Sequence, residues 1–349
     1  MTFWQGKKVF ITGHTGFKGS WLVLLLKSLG AELTGLSLPP QGSLNLFTSA
    51  LVEQDITNIF GDVRDAVLVQ SVMAKCQPEI IFHLAAQSLV RYSYRSPVET
   101  YSTNVMGTVH LLEAVRSVPS VKVVVNVTTD KCYENHEQSR GYVENDRLGG
   151  YDPYSNSKAC SELVSNAYRD SYLRHNGVGL ATVRAGNVIG GGDWAEDRLI
   201  PDIVRSCMRD QPVLIRYPTS VRPWQYVLDP LRGYLMLAER LYHQAAVFAK
   251  GWNFGPHMSE IKPVSWIADR LVSRLNKKNG WKVEEGQHLH EASLLILDCL
   301  QARELLAWKP RYTLEQGLEE TISWYEAYIA GKDMRQFTLE QINRFLFFH

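Results

Sequence analysis

The chain has 349 residues, of which 45% are hydrophobic and 21% charged, and its formal net charge is +1. That length allows one large core or two domains sharing a cleft. The near-neutral balance excludes a global field for nucleic acid or an anionic membrane, so an anionic ligand has to be held by a few local cations.

Lys8 to Thr12 reads as a buried strand that begins almost at once, so the first residues are not expected to be a signal peptide. Phe17 to Leu29 reads as a helix capped by Gly30. Its apolar run, Trp21 to Leu26, stops at Lys27, far short of a bilayer span. Further strands are expected at Glu32 to Ser37, Thr57 to Phe60, Ile80 to Leu84, Val121 to Val127 and Gly179 to Ala185. Helical patterns fall between them at Ala66 to Cys76, Val98 to Arg116 and Tyr154 to Arg174. Alternating strands and helices mean βαβ units, and continuous apolar strands mean a parallel sheet covered on both faces. The fold class is therefore α/β, a Rossmann-type doubly wound parallel sheet over residues 1–186.

After about Asn187 the rhythm changes, with Gly190-Gly191-Gly192 and prolines 201, 212, 218, 223 and 230 breaking the chain into shorter pieces. Residues 187–349 read as a smaller mixed α+β substrate domain, with a part near 225–250 returning to the first domain and a sheet strand expected at Gln225 to Leu228. The cysteines Cys76, Cys132, Cys160, Cys207 and Cys299 include no Cys-x-x-Cys pair. Scattered thiols fit a reducing cytoplasm, and no metal site is expected.

Directly after the first strand comes Gly13-His14-Thr15-Gly16-Phe17-Lys18-Gly19, opening a helix. Gly13 permits a tight turn, Gly16 lets the backbone approach a pyrophosphate, and Gly19 lets the helix pack against the sheet. In this context the motif predicts a dinucleotide at the helix N-terminus. The end of the second strand, Gly35 to Pro40, carries neither the carboxylate that would hold the ribose of NAD nor an arginine for a 2′-phosphate, which leaves NAD and NADP both open. Asp62 can accept from an adenine amino group or serve as an ordinary cap or loop carboxylate.

Tyr154 and Lys158 stand in Tyr-x-x-x-Lys spacing near the start of a helix, on one face. The ammonium is expected to depress the phenol pKa, making Tyr154 a base for a substrate hydroxyl, while Lys158 also holds the nicotinamide ribose. Thr129-Asp130-Lys131 follows the fifth strand. Thr129 can bond the same hydroxyl. The Asp130/Lys131 pair is either a structural salt bridge or the extra acid and base that a β-elimination needs.

With these residues the chain resembles the extended short-chain dehydrogenase/reductases, and within them the nucleotide-sugar 4,6-dehydratases, from the N-terminus to about Tyr325. The resemblance is carried also by His83-Leu84-Ala85-Ala86, Thr103-Asn104, Gly107, Arg184 to Asn187, Trp308 to Pro310 and Leu314 to Leu318. Most such dehydratases have Thr-Asp-Glu where this chain has Thr129-Asp130-Lys131. The lysine, with the loop Gly13 to Trp21, Gly190 to Trp194, Asp197 to Asp202 and Arg222 to Asp229, is similar to the branch that acts on CDP-glucose.

The resemblance implies NAD, with Ser37, Asp62, Val63, Leu84, Ala85, Ala86 and Asn104 joining the glycine loop, Tyr154 and Lys158 around it. It implies a redox-neutral dehydration in deoxysugar (O-antigen type) biosynthesis. Tyr154 takes the 4-hydroxyl proton, Lys131 replaces the usual glutamate as the base at C5, and Asp130 protonates the departing 6-hydroxyl. Arg222 is the cation expected to bind the substrate diphosphate, helped by Asn187 and Arg198, and Trp194 and Trp224 either line the nucleotide pocket or fill core. The apolar helices Val98 to Arg116 and Tyr154 to Arg174 imply a homodimer or a higher oligomer. Another nucleotide-sugar 4,6-dehydratase or a 4-epimerase on the same machinery is the rival enzyme reading, and an NAD-binding sensor the non-enzymatic one.

Overall fold

β1 (Lys8–Thr12) buries four of its five residues, as an apolar run covered on both sides must. A computed structural model of the chain describes residues 3–275, 280–286 and 294–347. β2 (Glu32–Ser37), β3 (Thr57–Phe60), β4 (Ile80–His83), β5 (Val123–Val127) and β6 (Gly179–Arg184) follow, all paired parallel. With a seventh strand, Gly251–Asn253, they form one sheet in the order Gly251–Asn253, β6, β5, β4, β1, β2, β3. The chain reverses direction across the sheet between β1 and β4, and ligands of open α/β sheets sit at the carboxyl ends of such strands. Two apolar clusters cover the two faces, one around Trp21, Leu25 and Phe82 and the other around Phe10, Ile81 and Leu112.

The seventh strand is not where the sequence placed it. Gln225–Tyr226 pairs with Val188–Ile189 in a separate two-stranded ladder. The free edge of β6 is taken by Gly251–Asn253, returned to it by the 21-residue helix Leu228–Phe248. A parallel neighbour needs a long crossover, and that helix supplies it. The two long helices also differ from expectation, since each contains a π turn. One is Ser102–Met106 between Pro97–Tyr101 and Gly107–Arg116, and the other is Arg169–Leu173 after Pro153–Tyr168. The first turn carries the buried Asn104, in keeping with the use of π turns at functional positions. Among the described residues no helix is long and apolar enough to cross a membrane.

Candidate active site

α1 (Phe17–Ser28) starts at Gly16 with no side-chain cap and no acidic residue in its first turn, so its free N–H groups and positive dipole end are left for an anion. Two glycines make this approach possible. Gly13 has φ +77°, and a Cβ there would lie 2.6 Å from the Ala85 nitrogen. A Cβ on Gly19 would lie 2.1 Å from the Gly13 carbonyl oxygen, so the helix meets the loop backbone to backbone. Thr12 Oγ1 accepts from the Ala85 N–H at 3.2 Å and bonds His83 Nδ1 at 2.7 Å, joining the ends of β1 and β4. Asn104 fixes the next stretch, accepting from the Gln87 N–H at 2.8 Å and donating to its carbonyl at 2.9 Å. Leu84, Ala85 and Ala86 are thereby held beside the glycine loop.

Other residues of the loop divide by role. Thr15 Oγ1 and Ser37 Oγ lie 2.7 Å apart at the end of β2, and Thr15 also donates to the Leu38 carbonyl. His14 is fully buried, its Nε2 2.7 Å from Asn58 Oδ1 and its ring filling the space a Cβ on Gly35 would take. Its side chain is packing, and only its backbone faces the loop. Asp62 is not the helix cap, since the cap of the helix Ala66–Cys76 is Asp65. Arg64 donates to Asp62 from Nε at 2.8 Å and from its terminal nitrogen at 2.5 Å. The Arg64 hydrogen bonds hold the Asp62 carboxyl below the usual carboxylate range. Arg64 was missed in the sequence because it approaches the rim after β3, not from the end of β2. Val63 packs under Gly107 in the adjacent helix.

The catalytic candidates converge at the carboxyl ends of β5 and β6. The helix Pro153–Tyr168 is capped by Asp152, whose Oδ1 accepts from the Ser155 N–H at 3.0 Å. The Tyr154 N–H donates instead to Ser93 Oγ at 3.1 Å. The Tyr154 phenol is buried with Thr129 among its neighbours, and Thr129 Oγ1 donates to Asp130 Oδ1 at 3.0 Å. The other Asp130 oxygen is buried without a hydrogen-bond partner. It lies against Gly186, where a Cβ would come within 1.8 Å. Lys131 is half-buried, and no ion pair joins it to Asp130. The salt-bridge alternative for that pair therefore has no contact behind it.

Electrostatics here differ from the simple expectation for Tyr154. Burial pushes its phenol up to about 12, while Thr129 and the Arg198 guanidinium pull the other way. Lys158 is buried and donates to the Val127 carbonyl at 3.0 Å. Burial, then the neighbouring Lys18, push Lys158 down to about 8. Lys18 is itself pushed down to about 8 by burial and then by Arg198. Arg198 donates to Asp193 Oδ2 at 2.9 Å and to Ser88 Oγ at 3.1 Å. The sequence grouped it with Arg222 for a diphosphate, and its charge also acts on Tyr154 and Lys18. Arg222 stands on the two-residue strand Val221–Arg222 and donates to the Val221 carbonyl at 3.1 Å. Asn187 adopts a left-handed φ of +48° directly after Gly186, a conformation asparagine tolerates. Trp194 and Trp224 belong to the core cluster, Trp194 edge-on to Tyr325 at 5.2 Å.

Comparison with known proteins places this arrangement. The family model described as GDP-mannose 4,6 dehydratase matches residues 10–321. A CDP-glucose 4,6-dehydratase of Salmonella typhimurium is 52% identical over 337 residues, covering 95% of this chain and 94% of that protein. A dTDP-glucose 4,6-dehydratase of Xanthomonas campestris is 28% identical, covering 95% and 97%. Among solved structures, dTDP-glucose 4,6-dehydratase of Bacillus anthracis in complex with NAD superposes with a TM-score of 0.77 at 25% identity, covering 94% of this chain and 99% of that one.

Proposed function

The chain belongs to the GDP-mannose 4,6-dehydratase family, and from that premise we propose that it is an NAD-dependent hydro-lyase converting CDP-glucose to CDP-4-keto-6-deoxyglucose. The observation that carries the reading is the buried Asp130 carboxyl beside Tyr154 and Lys131, one oxygen bonded by Thr129 and the other without a partner. An epimerase needs the tyrosine but no buried carboxylate aimed at a leaving group. The 52% identity to a CDP-glucose 4,6-dehydratase supports the cytidine nucleotide.

The residues present fit NAD. The uncapped N-terminus of α1 suits its pyrophosphate, and Thr15 and Ser37 offer hydroxyls at the ribose end. The Arg64 fork is committed to Asp62, which favours NAD over a cofactor bearing a 2′-phosphate. Bound NAD supplies the oxidant for C4 and afterwards the reductant for C6, so no external redox partner is consumed.

This chain's own groups move the protons. Tyr154, as phenolate, takes the proton of the 4-hydroxyl, and Thr129 orients that hydroxyl. The ketone formed at C4 acidifies the C5–H bond. Lys131, as the neutral amine, removes the C5 proton, and Asp130, as the acid, protonates the 6-hydroxyl so that it leaves as water. Lys131, now an ammonium, returns a proton to C5 as C6 is reduced. Lys158 holds the end of β5 and the nicotinamide ribose. Arg222 and Asn187, with Arg198 nearer the reacting end, hold the diphosphate and sugar.

Arg198→Met is expected to move the pH profile. Removing a cation that favours the phenolate raises the Tyr154 pKa further. The rise of kcat/KM with pH then shifts to higher pH, and an unshifted profile would remove Arg198 from this role.

The helices Pro97–Arg116 and Pro153–Leu173 expose Val98, Met106, Leu163 and Tyr172, which supports a homodimer formed through these helices. Five cysteines without a disulfide among them support a cytoplasmic setting, and a 4-keto-6-deoxy product suits deoxysugar assembly for lipopolysaccharide. The function is tested by separate incubations with CDP-glucose, dTDP-glucose, UDP-glucose and GDP-mannose, read by mass. Loss of one water from CDP-glucose alone is expected. Loss from another nucleotide sugar overturns the specificity.

A further inference from the structure

Beneath the catalytic residues lies an ion pair that the reaction as written does not use. Glu162 is one helical turn past Lys158 and fully buried, and Arg184, at the end of β6, is 3% exposed. Glu162 Oε1 accepts from Thr128 Oγ1 at 2.5 Å and from Arg184 Nε at 2.9 Å. Its Oε2 accepts from Thr182 Oγ1 at 2.6 Å and from the Arg184 terminal nitrogen at 2.7 Å. The remaining Arg184 nitrogen donates to the Tyr133 hydroxyl at 2.6 Å and to the Glu144 carbonyl at 2.9 Å. Tyr133 donates onward to Asn253 Oδ1 at 2.8 Å. Burial raises the phenol pKa of Tyr133 far above neutrality, so it remains a donor and not a base.

Burying two ions is costly, and apolar side chains of similar size would fill the same space without that cost. What the pair provides beyond packing is direction. Thr128 immediately precedes Thr129, and Tyr133 follows Lys131 by two residues. The network therefore grips the segment at both ends. It also joins that segment to the helix bearing Tyr154 and Lys158, through Glu162, and to the strand leading into Gly186, through Arg184. Gly186 is where the unpartnered Asp130 oxygen rests. A carboxylate seated that closely tolerates little drift of either wall.

We propose that Glu162, Arg184 and Tyr133 are positioning residues, a buried brace that holds the elimination pair Asp130 and Lys131 in register for loss of water. This rests on the reading that Asp130 and Lys131 carry that half of the reaction. The brace sets the distance between the proton-abstracting tyrosine on its helix and the elimination pair on its loop, so that one sugar meets both without moving.

Tyr133→Phe and Thr128→Val each release one end of the segment and leave the Glu162–Arg184 pair intact, so thermal melting should show the fold retained. Each is examined in a single turnover with CDP-glucose and NAD, quenched and read by mass. Oxidation at C4 is expected to be little changed. Water loss should slow about 10- to 100-fold, the effect of a sub-ångström to ångström misplacement, and the 4-keto sugar still bearing its 6-hydroxyl should accumulate. Lys131→Ala and Asp130→Asn are measured alongside. If they slow water loss but the brace variants do not, the brace is merely structural and the proposal is overturned, while the elimination pair stands. If oxidation and water loss fall together in the brace variants, selective positioning is likewise overturned. If Lys131→Ala and Asp130→Asn leave water loss intact, the underlying reading fails and the brace proposal with it.

Discussion

Replacing Tyr154 by phenylalanine is expected to lower turnover of CDP-glucose by about 10²–10⁴-fold, the usual worth of a positioned general base. Only the phenolic oxygen is lost, and the ring remains packed where it is 8% exposed. The Thr129 hydroxyl keeps its bond to Asp130, so the neighbouring acid is not disturbed. The loss should appear before any change at C5. In a single turnover no 4-keto species should build up, whereas the affinity for NAD should change little. A variant that retains near-full turnover would remove Tyr154 from the chemistry.

Lys131→Ala is expected to fail at the next stage. Oxidation at C4 proceeds, water loss slows by about 10²–10⁴-fold, and the product is lighter by two hydrogens instead of by a water. Asp130→Asn should stall at the same point, because an amide keeps the space against Gly186 but cannot supply the proton to the leaving hydroxyl. Deuterium from solvent separates the two variants. Lys131→Ala should block its entry at C5, and Asp130→Asn should allow C5 exchange without loss of the 6-hydroxyl. Near-full elimination by Lys131→Ala would return the role of base to another group.

The sheet was legible in the sequence because its central strands are short apolar runs separated by helical patterns. β2 and β3 begin and end at the residues that periodicity indicates. The glycine loop and the Tyr154/Lys158 pair were legible because each is a local pattern, fixed by spacing along one turn or one helix. What spacing does not encode was not legible. Gly251–Asn253 is too short and too glycine-led to read as a strand, and only the open edge of β6 makes it one. The Gln225–Tyr226 run is apolar enough to look like a sheet strand, yet Val188–Ile189 claims it first. The Glu162–Arg184–Tyr133 network joins residues 22 and 51 positions apart, which no local pattern announces. The place of Arg198 depended in the same way on Asp193 and Ser88, from separate parts of the chain. Nor did the Tyr154/Lys158 spacing show that Lys158 also donates to the Val127 carbonyl at the end of β5.

Internal transfer of hydrogen within one sugar is the central claim, and CDP-glucose carrying deuterium at C4 tests it most directly. The dehydrated product, formed in ordinary water with unlabelled NAD, should carry that deuterium at C6 and protium at C5. Deuterium lost from the sugar, or retained at C4 of an epimerised product that has kept its 6-hydroxyl, would contradict the account.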